Sequence, residues 1–283
     1  MLIVAMLFWG GGWTATKLVA DDAHILVLSF WRYFVTFLAL LPLVVWLKKP
    51  VRLSGRAAGI TAASALFNTA FMVLSFYGVL YGMAGAAGVM ITTLSPILTS
   101  LLALVLLRQS LSANQGWGLF LGFLGGAVML ELWLLEPAVI FGGGNAYFLV
   151  SALLWSFVTL LSQRSHLHLD PLVYSMVVAG ISSAMLLGFA WDHDVLGVLA
   201  KGWDFWLPML YLSLLSQTVA TTIYYYASGK LGSGRTSSFM FIVPSSALFF
   251  SWAILDEEPT LWLMLGGACS IAAVYLVNRK KRG

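Results

Sequence analysis

Charge is what this sequence has least of. Only nine per cent of the 283 residues are Asp, Glu, Lys or Arg, and sixty per cent are hydrophobic. A soluble domain carries about 25% charged residues. There is too little polar surface here to coat a water-soluble body, so the solvent for most of the chain is lipid. Cysteine is nearly missing as well. The single Cys269 excludes an intramolecular disulfide and a cysteine metal cluster. No basic segment precedes the first apolar stretch, Met1 to Ala20, which is therefore expected to be a spanning helix and not a signal peptide.

Chemical motifs are equally sparse. The stretch Gly229-Lys230-Leu231-Gly232-Ser233-Gly234 has the wrong order of Lys and Gly for a phosphate loop, and no strand precedes it. His166-x-His168 with Asp170 lies in a loop and is not expected to hold a metal. No nucleophile–base arrangement is visible, so no enzyme, cofactor or metal is expected. No carboxylate falls at the expected membrane centre, which argues against classical cation/proton exchange.

What the chain does have is long apolar stretches. A spanning helix needs about 20 of them in a row. Ten such segments are expected, at 2–20, 26–47, 58–80, 84–107, 113–135, 144–165, 171–190, 205–227, 234–255 and 260–278. The gaps hold nearly all the charge. With the N-terminus in the cytoplasm, the inside segments collect 12 of the 15 basic residues, from Lys48 and Lys49 through Arg108, Arg164, Lys230 and Arg235 to the tail. That is the positive-inside pattern. Both termini are expected in the cytoplasm of a cell that keeps this protein in its plasma (inner) membrane, with the loop Asp256 to Glu258 outside. Because the basic residues sit at loops flanking spans, the net charge of +4 does not point to nucleic acid.

The two halves repeat. At a shift of 148 residues, 77–96 aligns with 225–244, Leu66 with Leu214, Leu107 with Leu255 and Gly118 with Gly266; at 146, Trp9-Gly10 aligns with Trp155-Ser156. Each half, 1–140 and 141–283, holds five helices. An odd number inverts the second half relative to the first. The expected fold is thus an all-α membrane protein of ten transmembrane helices, built as two inverted five-helix repeats.

Trp9-Gly10 followed by Lys17, Arg32 in the second helix, and Tyr77 to Pro96 with its Gly/Ala-rich centre resemble the drug/metabolite transporter superfamily. The passage 224–279 resembles its EamA-type signature: Tyr226-Ala227, a turn of small residues, Pro244, then Glu257 before the last helix. The resemblance covers both halves. It departs in the first, where Gln109 stands at the position of Glu257. It implies a metabolite transporter, an exporter more than an importer, with a central cavity between the halves.

Intramembrane polar groups are costly and mark functional positions. Lys17 and Arg32 either attract a substrate carboxylate, or snorkel and pair with Asp21, Asp22 or Glu131. Asn68 and Thr69 sit at the repeat-equivalent place of Ser216 and Gln217, and Thr92 faces the same way as Met240. These line a cavity or join helices. The aromatic candidates are Trp9, Trp13, Tyr77, Tyr81, Trp155, Tyr224 and Tyr225, of which Trp9, Trp155 and Tyr225 are set apart by duplication. Gly118-x-x-x-Gly122 is expected to let helices approach closely. Pro96 and Pro244 interrupt equivalent helices and are candidate hinges. The substrate expected is an amino acid or related zwitterion, with a quaternary ammonium compound in an aromatic cage as the alternative. A membrane-embedded enzyme is the other class; it would need polar catalytic clusters at one membrane face. The partners are the small-molecule substrate and the lipid bilayer, and nothing in the sequence requires a second copy of the chain.

Overall fold

A computed structural model describes residues 1–81, 84–255 and 260–279. The expected outside loop Asp256 to Glu258 and the basic tail beyond Arg279 lie outside the described residues. The chain is all helical there. In order the long helices are α1 (Leu2–Val19), α2 (Ile25–Trp46), α3 (Gly55–Tyr81), α4 (Ala84–Leu106) and α5 (Ala113–Met129), then α6 (Gly143–Ser165), α7 (Pro171–Phe189), α8 (203–231), α9 (233–255) and α10 (Leu261–Asn278). Eight of them are long and apolar enough to cross a membrane. The other two are α5, with 17 residues, and α8, whose middle is wound differently.

Local chemistry explains the ends. Ser112 and Gln115 form a reciprocal capping box that starts α5. Asp170 accepts from Leu172 N at 2.9 Å and starts α7, with Pro171 at the first helical position. Thr260 caps α10. The sequence expectation for the fifth helix ran to residue 135. The helix ends instead at Met129, and Glu131 sits beyond it in a left-handed turn with φ 49°. Glu131 therefore lies beyond the end of α5 and not one turn inside it. Between α5 and α6, Pro137–Phe141 forms a short helix, with Asn145 Nδ2 donating to the Val139 carbonyl at 2.9 Å.

Two helices depart from α geometry inside the bundle. In α8, Tyr211–Thr221 winds as a π-helix between the α segments Trp203–Leu210 and Thr222–Leu231. In α9, a 3₁₀ turn at Phe239–Ile242 precedes Pro244. By contrast α4 continues through Pro96 without a break. The lost backbone bond there is accompanied by cross-helix contacts: Ser156 Oγ donates to the Ser95 carbonyl at 3.1 Å, and Ser95 Oγ to the Ala152 carbonyl at 3.3 Å.

The packing exchanges into itself when the halves are swapped. Helix α5 packs mainly on α10, and α2 on α7; α3 and α4 pack on α6 as α8 and α9 pack on α1. The α5–α10 seam shows this atom by atom. A Cβ on Gly118 would lie 2.9 Å from Val277 N and 3.0 Å from the Ala273 carbonyl. Gly266, its equivalent at the 148-residue shift, would meet Gly125 and Met129, the equivalents of Ala273 and Val277. Such reciprocity is the mark of a two-fold interface. The two helices run antiparallel along it, as an inverted repeat demands. Glycine is needed here because helices in lipid gain from close van der Waals contact and not from hydrophobic burial. Gly122 serves α9 in the same way, receiving the ring of Phe241.

Loops expected on one side of the membrane pair with each other. Lys49 meets Asp170 at 2.8 Å at one end. At the other, Lys201 meets Asp22 at 3.0 Å and His24 stacks on His193 at 3.6 Å between ring centroids.

Candidate functional site

A cavity of about 630 Å³, counting its open mouth, lies among the helices of both halves. The first half contributes Trp9, Gly12, Trp13 and Thr16 from α1, Arg32 from α2, Phe71, Met72, Ser75 and Phe76 from α3, and Ile91 and Thr92 from α4. The second half contributes Trp155, Ser216, Gln217, Thr221, Met240 and Val243. The lining thus comes from the bundle centre and from the half nearest the Asp22–Lys201 end.

Trp9 and Trp155, one from each half, line it together. These repeat-equivalent rings meet edge to face, 5.2 Å apart and at 83°. Equivalent residues touch each other only near the two-fold axis, so the cavity lies at the axis. Three further contacts hold them. Tyr224, fully buried, backs Trp9 at 4.9 Å and Trp155 at 5.8 Å between centroids, and its hydroxyl bonds Thr159 at 3.0 Å. Phe71 leans on Trp155 at 4.8 Å. Trp9 Nε1 donates to the Ser216 carbonyl at 3.0 Å.

The π segment of α8 forms the wall beside Trp9. A π-turn adds a residue to the helix circumference and leaves carbonyls open to side-chain donors. Thr218 and Thr221 hydroxyls donate to the carbonyls five residues back, Ser213 and Ser216, at 2.8 and 3.2 Å. Thr36 of α2 also reaches the Ser213 carbonyl, at 3.0 Å. Helix α1 can lie against this wall because it carries Gly12, whose missing Cβ would sit 3.0 Å from Ser216 Oγ.

Arg32 projects to the same place. Its Nη2 donates to Ser216 Oγ at 3.3 Å, while Nε is buried without a partner. The pairing of Arg32 with Asp21, Asp22 or Glu131 left open above is not what the structure has, since Asp22 pairs with Lys201.

Of the residues expected at the site, Trp9, Trp13, Thr92, Trp155 and Gln217 are in the cavity wall. Tyr224 stands directly behind it. Tyr225 is buried against Tyr174, 5.0 Å between rings, with its hydroxyl unpartnered and away from this wall. Asn68 is also off the wall; its backbone carbonyl accepts from Tyr33 and neither side-chain amide atom has a partner. Tyr77 and Tyr81 stack with Tyr147 at about 6 Å near the end of α3, and Tyr81 is mostly exposed. Lys17 lies on the exposed flank of α1, past Thr16. Ser216, paired with Asn68 by the repeat, is in the wall; Thr16, Ser75 and Thr221 were not singled out by sequence. The signal existed for the first two: Trp9, Gly12, Trp13 and Thr16 follow the i, i+3, i+4, i+7 helix stripe, and Asn68 begins the stripe Phe71, Met72, Ser75.

A family model for the EamA-like transporter family matches residues 1–130 and again 142–279. The chain belongs to this family. The double match gives the EamA-like transporter its duplicated architecture, one copy per half. Its relatives align end to end. An uncharacterized transporter of Archaeoglobus fulgidus is 25% identical over 99% of this chain and 97% of its own length. The uncharacterized transporter YoaV of Bacillus subtilis is 24% identical over 97% and 94%. A protein of Streptantibioticus cattleyicolor named "probable terminal-alkyne amino-acid exporter" is 25% identical over 100% and 93%. A crystal structure of a protein 17% identical superposes with a TM-score of 0.75, over 98% of this chain and 94% of that one; it shares the fold of this EamA-like transporter. The chain is accordingly a multi-pass membrane transporter and not an enzyme.

Proposed function

We propose that this transporter exports a small organic zwitterion, an amino acid or a close relative, by alternating access through the cavity between its halves. The two bodies that move are 1–140 and 141–283. The observation that carries the reading is the Trp9–Trp155 contact in the wall of a cavity lined by both halves. A site on the axis of an inverted repeat is contacted equally by both bodies, so rocking one against the other exposes it to each side in turn. The name of the Streptantibioticus relative supports an amino acid as cargo.

The wall chemistry supports the same class. Trp9, Trp13, Phe71, Phe76 and Trp155 offer apolar faces that also attract an ammonium. Thr16, Ser75, Thr92 and Gln217 offer neutral polar atoms. Pro244, after the 3₁₀ turn of α9, and Pro96, inside the continuous helix α4, are the proposed hinges. With basic loops inside, both termini are cytoplasmic and the cavity opens toward the outer face.

The test is uptake and efflux by proteoliposomes with a panel of amino acids, amines and quaternary ammonium compounds. Transport of a zwitterionic amino acid, saturable and lost in Trp155→Ala, is expected. Transport of quaternary ammonium compounds alone would overturn the assignment.

A further inference from the structure

We propose that Arg32 is the charge-selecting residue of this cavity: its guanidinium anchors an anionic group of the substrate, a carboxylate or its equivalent, and excludes purely cationic cargo. This rests on reading the cavity as the transport site.

The argument is one of missing partners. A guanidinium carries five N–H donors and stays ionised. Within the described residues, Arg32 has one hydrogen bond, to the neutral Ser216 hydroxyl at 3.3 Å, which is long for such a pair. Its Nε is buried with no acceptor. The carboxylates that form ion pairs serve other cations: Asp170 holds Lys49, Asp22 holds Lys201 and Asp192 faces His193. No Asp or Glu of the described residues lines the cavity. Buried charges in proteins are paired or coordinated, and in a membrane helix an unpaired one is more costly still. Arg32 lines a cavity through which a counter-ion can arrive, and a planar carboxylate matches its fork in a bidentate way.

The surroundings fit a carboxylate with an apolar remainder. Thr16 and Gln217 line the same cavity as Arg32, as do Trp9 and Trp155. A zwitterion would place its anionic end on Arg32 and its ammonium or side chain on aromatic faces. A quaternary ammonium compound would have to enter beside a fixed positive charge with no carboxylate to offset it.

The test uses four ligands that share a ring and differ in charge: phenylacetate, L-phenylalanine, L-phenylalaninamide and phenethylamine. Purified wild-type, Arg32→Lys and Arg32→Gln proteins are compared by ligand-induced thermal stabilisation. The wild type is expected to bind the two carboxylates at least tenfold tighter than the two carboxyl-free amines. The preference persists in Arg32→Lys and vanishes in Arg32→Gln. Equal affinity of wild type for acids and amines, binding of none of the four, or a preference that survives Arg32→Gln would overturn the proposal. If Arg32→Gln does not fold, the wild type alone decides. Phenylglyoxal modification of Arg32, read by peptide mass spectrometry, should be slowed at least threefold by phenylacetate and not by phenethylamine; equal rates with both would overturn it. Transport of the same panel separates the two readings. Stabilisation by carboxylates without their transport sinks the amino-acid exporter and leaves Arg32 as an anion site. Transport without carboxylate preference does the reverse.

Discussion

The indole of Trp9 is bonded to the backbone of Ser216: Nε1 lies 3.0 Å from a carbonyl that also accepts from the Thr221 hydroxyl at 3.2 Å. One cavity side chain from the first half is thereby fastened to the irregular helix of the second. Trp9→Phe keeps an aromatic face and deletes only the donor. It is expected to lower stability by about 1 kcal/mol, the net worth of one intramolecular hydrogen bond, while sparing substrate affinity. Trp9→Ala should lose both. Thermal melts in detergent alongside ligand titrations check this; equal affinity in the two variants would show that the ring is not part of the binding wall.

Three substitutions divide cavity residues from belt residues. Trp155→Ala should cost roughly 1–3 kcal/mol of substrate affinity, as for buried aromatic anchors. Gln217→Leu should insert normally, since Leu suits lipid and protein alike, yet transport poorly. Trp262, 42% exposed and touching Trp133, should tolerate Ala in both respects. Initial rates in proteoliposomes, normalised to inserted protein, give the comparison. Full activity in Trp155→Ala and Gln217→Leu would place the substrate path elsewhere.

Energy coupling is open to a similar check. With no carboxylate of the described residues in the cavity wall, transport should persist without an imposed proton gradient. The unpaired Arg32 adds a second expectation. An empty carrier closes over an uncompensated charge and a loaded one does not, so substrate on the far side should accelerate flux. Counterflow no faster than net efflux, or strict dependence on a pH gradient with a zwitterion, would count against this.

The end of the bundle that carries the Asp22–Lys201 pair should respond to acid. Partial burial and the neighbouring His193 pull His24 below its ordinary value of 6.5, with Asp192 opposing. Its Nδ1 also accepts from Leu26 N at 3.4 Å as the cap of α2. A histidine with a lowered pKa stays neutral in the folded state while the unfolded chain takes up the proton. Stability is then full above the ordinary value and falls as pH drops below 6.5. Protection from hydrogen exchange over the first turn of α2, with the intrinsic pH dependence of exchange divided out, should therefore fall from pH 8 to about 5, and His24→Asn, which keeps a cap acceptor, should flatten the response.

Topology is tested by labelling. In a Cys269→Ser background, cysteines at Lys49 and Asp170 should react only from the cytoplasmic side, and at Asp22 and Lys201 only from outside. Reaction of all four from one side contradicts a ten-span thread.

Much of this was legible in the sequence. Gly118 and Gly266, equivalent at a 148-residue shift, do form one reciprocal seam, because only a backbone without Cβ lets α5 and α10 come so close. Trp9 and Trp155 were distinguishable as a duplicated pair before they were seen to touch. Scarcity of charge determined the lipid environment, and the spacing of basic loops determined where helices begin and end, since hydropathy acts locally and needs no knowledge of packing. Which polar side chains face the cavity was decided only by the tertiary structure. Asn68 and Ser216 occupy equivalent positions, yet Ser216 lines the cavity and Asn68 turns away. The two helices also differ in winding: Tyr211–Thr221 is a π-helix, whereas its counterpart α3 is α-helical throughout. That winding is held by contacts more than 170 residues away, from Thr36 and Trp9, and no local pattern encodes it. The same holds for Arg32: its place in the second helix is plain from sequence, but its lack of a carboxylate partner exists only once the helices are packed.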